Sequence, residues 1–311
     1  MSHGPPDPVP DSPAETATRV FVDHRELLFS IVYTMLGSVA DTEDVLQETW
    51  LAWDARSRSS DAEPVGNSRA YLVRVAVNRA LARQASISRR REEYVGPWLP
   101  EPLATPPGPD GGDVADGVVR SESVSMALLV VLETLSPLER AVFVLHEVFG
   151  YSHPEVAGIL GRSASAVRQV AHRAREHVHA RRPRYETDPR VRRQVTEHFI
   201  AAVVGGDIEG LIRVLAPDVT LWADGGGKAR AAGPRPVQGR DRIARLLIGD
   251  AARRPIPDLA IRYRHVNGDP SALLLSGDTP YAVVVLDLTA DGTQVCGIYT
   301  VTNPDKLSHL G

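Results

Sequence analysis

The sequence predicts a multidomain chain, two all-α domains followed by a separate α+β domain. Three observations carry this. Apolar residues recur at helical spacing over about 15–91 and again over 125–182. Between them, residues 92–124 are too rich in Pro, Gly and Asp to form a packed core. After Pro183 the texture changes to helical stretches followed by period-two apolar runs. The division this predicts is a tail at 1–14, a helical domain at 15–91, a linker at 92–124, a helix-turn-helix domain at 125–183 and an α+β domain at 184–311.

Bulk properties narrow the function classes. The chain has 311 residues and is 43% hydrophobic, enough for two or three cores. No apolar run is long enough to cross a bilayer, and the tail MSHGPPDPVPDSP lacks a signal peptide's apolar stretch, so a cytoplasmic location without a membrane partner is expected. The single cysteine, Cys296, excludes an intrachain disulfide and a zinc site built on several thiolates. It reads as a small buried hydrophobe, and no metal or cofactor is expected. The net charge of −4 speaks against nucleic acid, but residues 162–184 carry seven arginines against the single Glu176. A basic field is therefore local.

In the first helical block, Asp41–Trp53 places Val45, Leu46, Trp50 and Trp53 on one stripe and Asp41, Asp44 and Glu48 on another. An acidic stripe beside exposed aromatics suits a basic protein partner. The next helix, capped by Asn67 or Ser68, turns Leu72, Val75 and Ala76 inward and Arg74, Asn78, Arg79 and Arg83 outward. One helix is acid-faced and its neighbour is basic with polar readers. In the linker, Trp98, Leu99, Pro100, Glu101 and Pro102 form an apolar anchor between rigid prolines, and Asp110, Asp113 and Asp116 could imitate nucleic-acid charge.

The stretch 135–182 reads as a helix-turn-helix. Ser152 and Glu155 can cap the first helix reciprocally, Gly161 can stop it and Ser163 can cap the second. Val167, Val170 and Ala174 then face inward, and Ser165, Arg168, Gln169, His172, Arg173 and Arg175 face outward. Arg can bond guanine bidentately and Gln can bond adenine in the major groove, while other arginines neutralise phosphates. Downstream, helices are expected at about 191–204 and 208–215, and strands at 219–222, 259–263, 272–275, 281–288 and 294–302, with an Asp291–Gly292 hairpin.

DTEDVLQETW, AYLVRVAVNRALAR and the helix-turn-helix stretch resemble, in this order, region 2 and region 4 of the extracytoplasmic-function sigma factors of bacterial RNA polymerase. WLPEP, DGGGK at Asp224, Gly225, Gly226, Gly227 and Lys228, and NPDKL at Asn303, Pro304, Asp305, Lys306 and Leu307 resemble the SigJ-like subgroup. That subgroup carries a C-terminal SnoaL-like extension, a cone-shaped α+β domain of NTF2-like fold. The resemblance implies core RNA polymerase, through its clamp and flap, and promoter DNA as partners. It implies that Asp41, Asp44 and Glu48 help dock the clamp, that Asn78, Arg79 and Arg83 approach the −10 element, and that the loop Ser59–Asn67 receives a flipped base. The family's usual Trp is Tyr71 here, and the loop lacks the common Phe. It implies further that the extension packs on region 2 and the linker and regulates in cis.

Only two of the 35 cationic residues are lysines, Lys228 and Lys306, and both lie in these motifs. A compact ammonium is therefore expected at both, paired with carboxylates or carbonyls where the extension meets the sigma core. Trp222, Asp224, Tyr263, His265 and Tyr299 are candidate pocket residues for a small-molecule ligand, but no paired carboxylates or His/Asp spacing points to an enzyme. DGGGK is not a phosphate loop, because Ala229 follows Lys228, and His146-Glu147 lacks the second histidine of a zinc-protease motif. The competing reading is a one-component helix-turn-helix regulator with a ligand-sensing extension. It needs one reader helix and a palindromic site, and it leaves the acid-faced helix unexplained. Nothing in the sequence calls for a homo-oligomer.

Overall fold

The computed structural model describes residues 13–59, 63, 65–104, 124–181, 188–229 and 235–310. Residues 1–12 of the tail, residues 60–62 and 64 of the loop Ser59–Asn67, and Asp110, Asp113 and Asp116 lie outside the described residues. No helix among those described is long and apolar enough to cross a membrane.

Three helices open the chain: α1 (Pro13–Leu36), α2 (Val39–Arg58) and α3 (Ser68–Glu92). Gly37, at φ +69°, makes the tight turn between the first two, and Ser38 caps α2. Asn67 is the cap of α3, its side chain accepting from the Ala70 N–H. The aromatic stripe of α2 is core rather than exposed. Trp53 is buried and donates its indole N–H to the Ala17 carbonyl, and half-buried Trp50 packs on Phe21. On α3 the inward face is Leu72, Val73, Ala76, Val77 and Ala80, while Val75 is only half-buried.

After residues 93–104, which run without regular structure, come α4 (Met126–Leu132), α5 (Pro137–Phe143), a π-helical turn (Val144–Val148), α6 (His153–Leu160) and α7 (Ala164–Arg181). Reciprocal Ser–Glu caps open both α5 and α6. Gly161 ends α6 at φ +62°, and the Ser163 hydroxyl accepts from the Ala166 N–H at the start of α7. Val167, Val170 and Ala174 are buried as expected. The helix-turn-helix core is continuous with that of α1–α3, so the two helical parts pack as one.

The C-terminal part consists of α8 (Pro189–Gly205), α9 (Ile208–Val214), β1 (Leu215–Asp224), β2 (Val237–Gln238), α10 (Arg240–Arg253), β3 (Leu259–Val266), β4 (Asp269–Ser276), β5 (Thr279–Leu288), β6 (Val295–Val301) and α11 (Pro304–Leu307). Its mixed sheet has the order β2-β1-β6-β5-β4-β3, with β1 and β6 parallel and the other pairs antiparallel. Alternation along β5 shows why both faces are dry. Val284, Leu286 and Leu288 meet α8, α9 and α10, while Val283 and Val285 meet Leu99 of the linker and Met126 and Ala127 of α4. The helical half thus supplies the cover for one face of the sheet.

Candidate nucleic-acid and interdomain interfaces

On α7, the side chains of Ser165, Arg168, Gln169, His172 and Arg173 are all exposed along one face. Their neighbours leave them free to approach a groove: Arg173 is 61% exposed with Glu139 at 3.7 Å, and His172 faces Glu176 at 3.5 Å. Arg175 departs from the expected set. It is half-buried and ion-paired to Glu147, so it ties α7 to the π-helical turn.

The acid-faced and base-faced helices face each other. Arg79 reaches Glu48 at 2.6 Å, and Arg83 bonds Asp41 at 2.8 Å and also pairs with Asp44. Arg90 bonds both Asp41 oxygens at 2.8 Å. Burial pushes the Asp41 carboxyl up, but the hydrogen bonds from Arg83 and Arg90 outweigh it and hold the group below its ordinary value of 3.8. Arg74 lies over the Tyr71 ring at 5.7 Å. Asn78 donates to the Ile159 carbonyl at 3.0 Å, at the C-terminal end of α6, so this face of α3 is in contact with the helix-turn-helix.

The three motif segments of the linker and C-terminal part meet at one point. Lys306 is buried, and its Nζ donates to Asp224 Oδ2 at 2.8 Å and to the Leu99 carbonyl at 2.5 Å. The same ammonium sits 3.3 Å from the Trp98 ring centroid. Asp224, fully buried, also accepts from the Leu99 N–H at 2.8 Å and the Tyr94 hydroxyl at 2.5 Å. Burial, helped by the Asp224 carboxylate, raises the Tyr94 hydroxyl pKa, whereas burial lowers the Lys306 ammonium to about 8 against the opposing pull of Asp224. Gly225 is buried. Gly226 takes φ +59°, and a Cβ there would stand 2.4 Å from Asn303 Nδ2 and 2.9 Å from the Tyr94 hydroxyl. Gly227, at φ +73°, lies against Val95. Asn303 caps α11 through the Asp305 N–H and donates to the Tyr94 hydroxyl at 2.8 Å. Exposed Pro304 opens that helix.

Lys228 does not take part. It is exposed and pairs with Asp305 at 2.5 Å, within the C-terminal part, so the expectation for the two lysines holds for Lys306 alone. The other end of the linker is tied as well. Buried Pro100 and Pro102 flank Glu101, whose carboxylate accepts from the Val39 N–H at the start of α2 and whose N–H donates to the Gly37 carbonyl. The His309 ring contacts the Pro102 carbonyl at 2.8 Å.

Comparison with known proteins decides the family. A sigma-70 region 2 model matches residues 20–90 and a sigma-70 region 4 model matches residues 125–178. The ECF RNA polymerase sigma factor SigJ of Mycobacterium tuberculosis is 38% identical over 293 residues, 91% of each chain. The probable ECF RNA polymerase sigma factor SigI of the same species is 30% identical over 92% of this chain and 93% of that one. The chain belongs to the extracytoplasmic-function sigma factors. The crystal structure of Mycobacterium tuberculosis SigJ superposes with a TM-score of 0.71 at 35% identity, covering 94% of this chain and 98% of that chain.

As a sigma factor, the protein is a transcription initiation factor of a non-enzymatic family, working with RNA polymerase on promoter DNA. Its junction uses residues that the sequence did not single out. Asn267, at φ +51° in the β3–β4 turn, accepts from the Leu103 N–H at 3.2 Å, donates its backbone N–H to the Leu103 carbonyl and donates its side-chain amide to the Tyr33 hydroxyl. The Asn267-Gly268 pair is a hairpin signal in the sequence of this sigma factor. Tyr94 stood four residues before Trp98 without any periodicity to mark it.

Proposed function

We propose that this sigma factor reads a promoter at two separated places and is regulated in cis by its C-terminal domain. In this reading α7 enters the major groove of the −35 element with Ser165, Arg168, Gln169, His172 and Arg173. α3 offers Arg74, Asn78, Arg79 and Arg83 to the −10 element, the loop Ser59–Asn67 takes the flipped base, Asp41, Asp44 and Glu48 dock the polymerase clamp, and the helix-turn-helix docks the flap. The observation that carries the cis regulation is the Lys306–Asp224 pair, buried against Leu99 and Trp98 of the linker. A linker held there cannot pay out freely between two readers that must span separated elements.

The regulation runs through this contact and not through chemistry in the extension. Trp222 and Tyr299 stack 4.9 Å apart on the face toward the linker, whereas Tyr263 and His265 line a cavity beside α8 of about 10 Å³, room for one water. Neither catalysis nor a small-molecule ligand is assigned to that cavity. The test is initiation by purified protein and core polymerase on a promoter with both elements. Arg168→Ala should lose roughly 1–3 kcal/mol of −35 base discrimination with polymerase binding intact. Unaltered discrimination removes the α7 assignment.

A further inference from the structure

The net charge of −4 hides a second basic field, in the C-terminal part. Residues 235–264 carry eight arginines against three aspartates. Arg242, Arg245 and Arg253 stand on α10 at i, i+3 and i+11, so they share one stripe of the helix, and all three are exposed. Ile243 and Ala244 hold the opposite side of the helix against the sheet, with Leu247 and Ile248. On α3, by contrast, Arg79, Arg83 and Arg90 are each matched by an acid of α2. At the end of α10, Arg254 pairs with Asp250 at 3.4 Å. Among the described residues Arg242, Arg245 and Arg253 have no ion pair, although Asp241 lies one turn before Arg245. The positions four residues beyond Arg242 and Arg245, where an acid would offer one, hold Leu246 and Gly249.

Gly249 shows what the stripe is shaped for. A glycine inside a helix is less stable than an alanine, so its place there needs a reason. A Cβ at Gly249 would stand 3.3 and 3.4 Å from the two terminal nitrogens of Arg253. The bare backbone leaves that guanidinium room to lie back along the helix, in line with Arg245. From Arg242 to Arg253 the stripe is about 16 Å long, the length of about five successive phosphates on one strand of a duplex. An arginine fork bonds a phosphate through two parallel N–H groups. Protein interfaces centre on apolar or aromatic anchors, and the stripe offers only Leu246. We propose that the outer face of α10 binds the phosphate backbone of duplex DNA without regard to sequence.

The sheet lies between this face and the helical half, since α10 packs with Val284, Leu286 and Leu288 while the linker and α4 cover the other side. The stripe therefore stays open to solvent while α3 and α7 are packed together, and its binding does not depend on the reader assignments proposed above. It gives the closed protein a hold on DNA that carries no sequence information. Fluorescence anisotropy of the full-length chain with a labelled duplex lacking promoter elements, across a salt series, tests it. Arg242→Gln, Arg245→Gln and Arg253→Gln combined should weaken binding roughly tenfold and flatten the slope of log Kd against log salt by about two to three. Because all three side chains are exposed, this variant should melt with the parent, and the corresponding Arg→Lys substitutions should keep the parent's slope. Arg168→Ala with Arg173→Ala, on α7, should lower the affinity without removing the difference made by α10. The proposal is overturned if the Gln variant binds the duplex as the parent does at every salt concentration. It is overturned too if, in the Arg168→Ala, Arg173→Ala background, polyglutamate at matched charge displaces the label as well as unlabelled duplex does, which would give the face to an acidic protein.

Discussion

At the scale of residues, the Lys306–Asp224 pair decides how the C-terminal domain is attached. Neither side chain reaches solvent, so removing one partner leaves the other charge buried and uncompensated. Asp224→Ala should cost about 3–5 kcal/mol in denaturant unfolding, whereas Asp224→Asn combined with Lys306→Met should recover part of it, since the pair then leaves together. An additive double variant would show that the two do not act as a pair. Gly226→Ala should destabilise by about 1–2 kcal/mol from its left-handed backbone alone, and by more because the added Cβ meets Asn303 and Tyr94. A melting temperature equal to the parent's would contradict the close approach. Lys306 was legible in the sequence because lysine is so scarce in this chain. Arg91, Glu133 and Arg140, where both guanidiniums pair with the one carboxylate, were not, because a charged residue is read as surface unless its partner, here from a distant segment, is known.

At the scale of elements, caps and stops were legible: Ser152 with Glu155, Gly161, Ser163 and Asn67 each act where local chemistry places them. The five expected strands are present, but α10 follows Gly239, which offers no side-chain cap, and β2 is two residues long, so neither announces itself. The acidic stripe of α2 and the basic face of α3 were legible as stripes. That they pair with each other was not, since helix orientation is a tertiary fact. The pairing has a pH signature. Asp41 sits below its ordinary value of 3.8 when folded, so its contribution is complete above that pH and is lost as pH falls through the lowered folded value. Asp41→Asn should therefore melt lower than the parent at pH 7, with the gap closing below about pH 4. A gap that persists in acid would assign the loss to packing instead of charge. The same pairing couples the two interfaces proposed for α2 and α3: a partner that draws Asp41, Asp44 and Glu48 away releases Arg79 and Arg83 toward phosphates.

At the scale of the whole molecule, the architecture followed from periodicity and the family resemblance, but the closed arrangement did not. Asn78 on the Ile159 carbonyl, the shared core of the two helical parts, and Met126 and Ala127 against the sheet hold both readers together. With α3 packed on α6, the two readers proposed above are held in one body and cannot occupy elements set apart along DNA, so the proposed function requires α3 and α7 to separate. A pulsed electron-spin distance measurement tests this most directly, with paired labels at exposed Ser86 on α3 and exposed His179 on α7 and Cys296 replaced by serine. The free protein should give one short, narrow distribution, moving to longer distances with core polymerase and promoter. A distribution that stays the same in the complex would contradict the account.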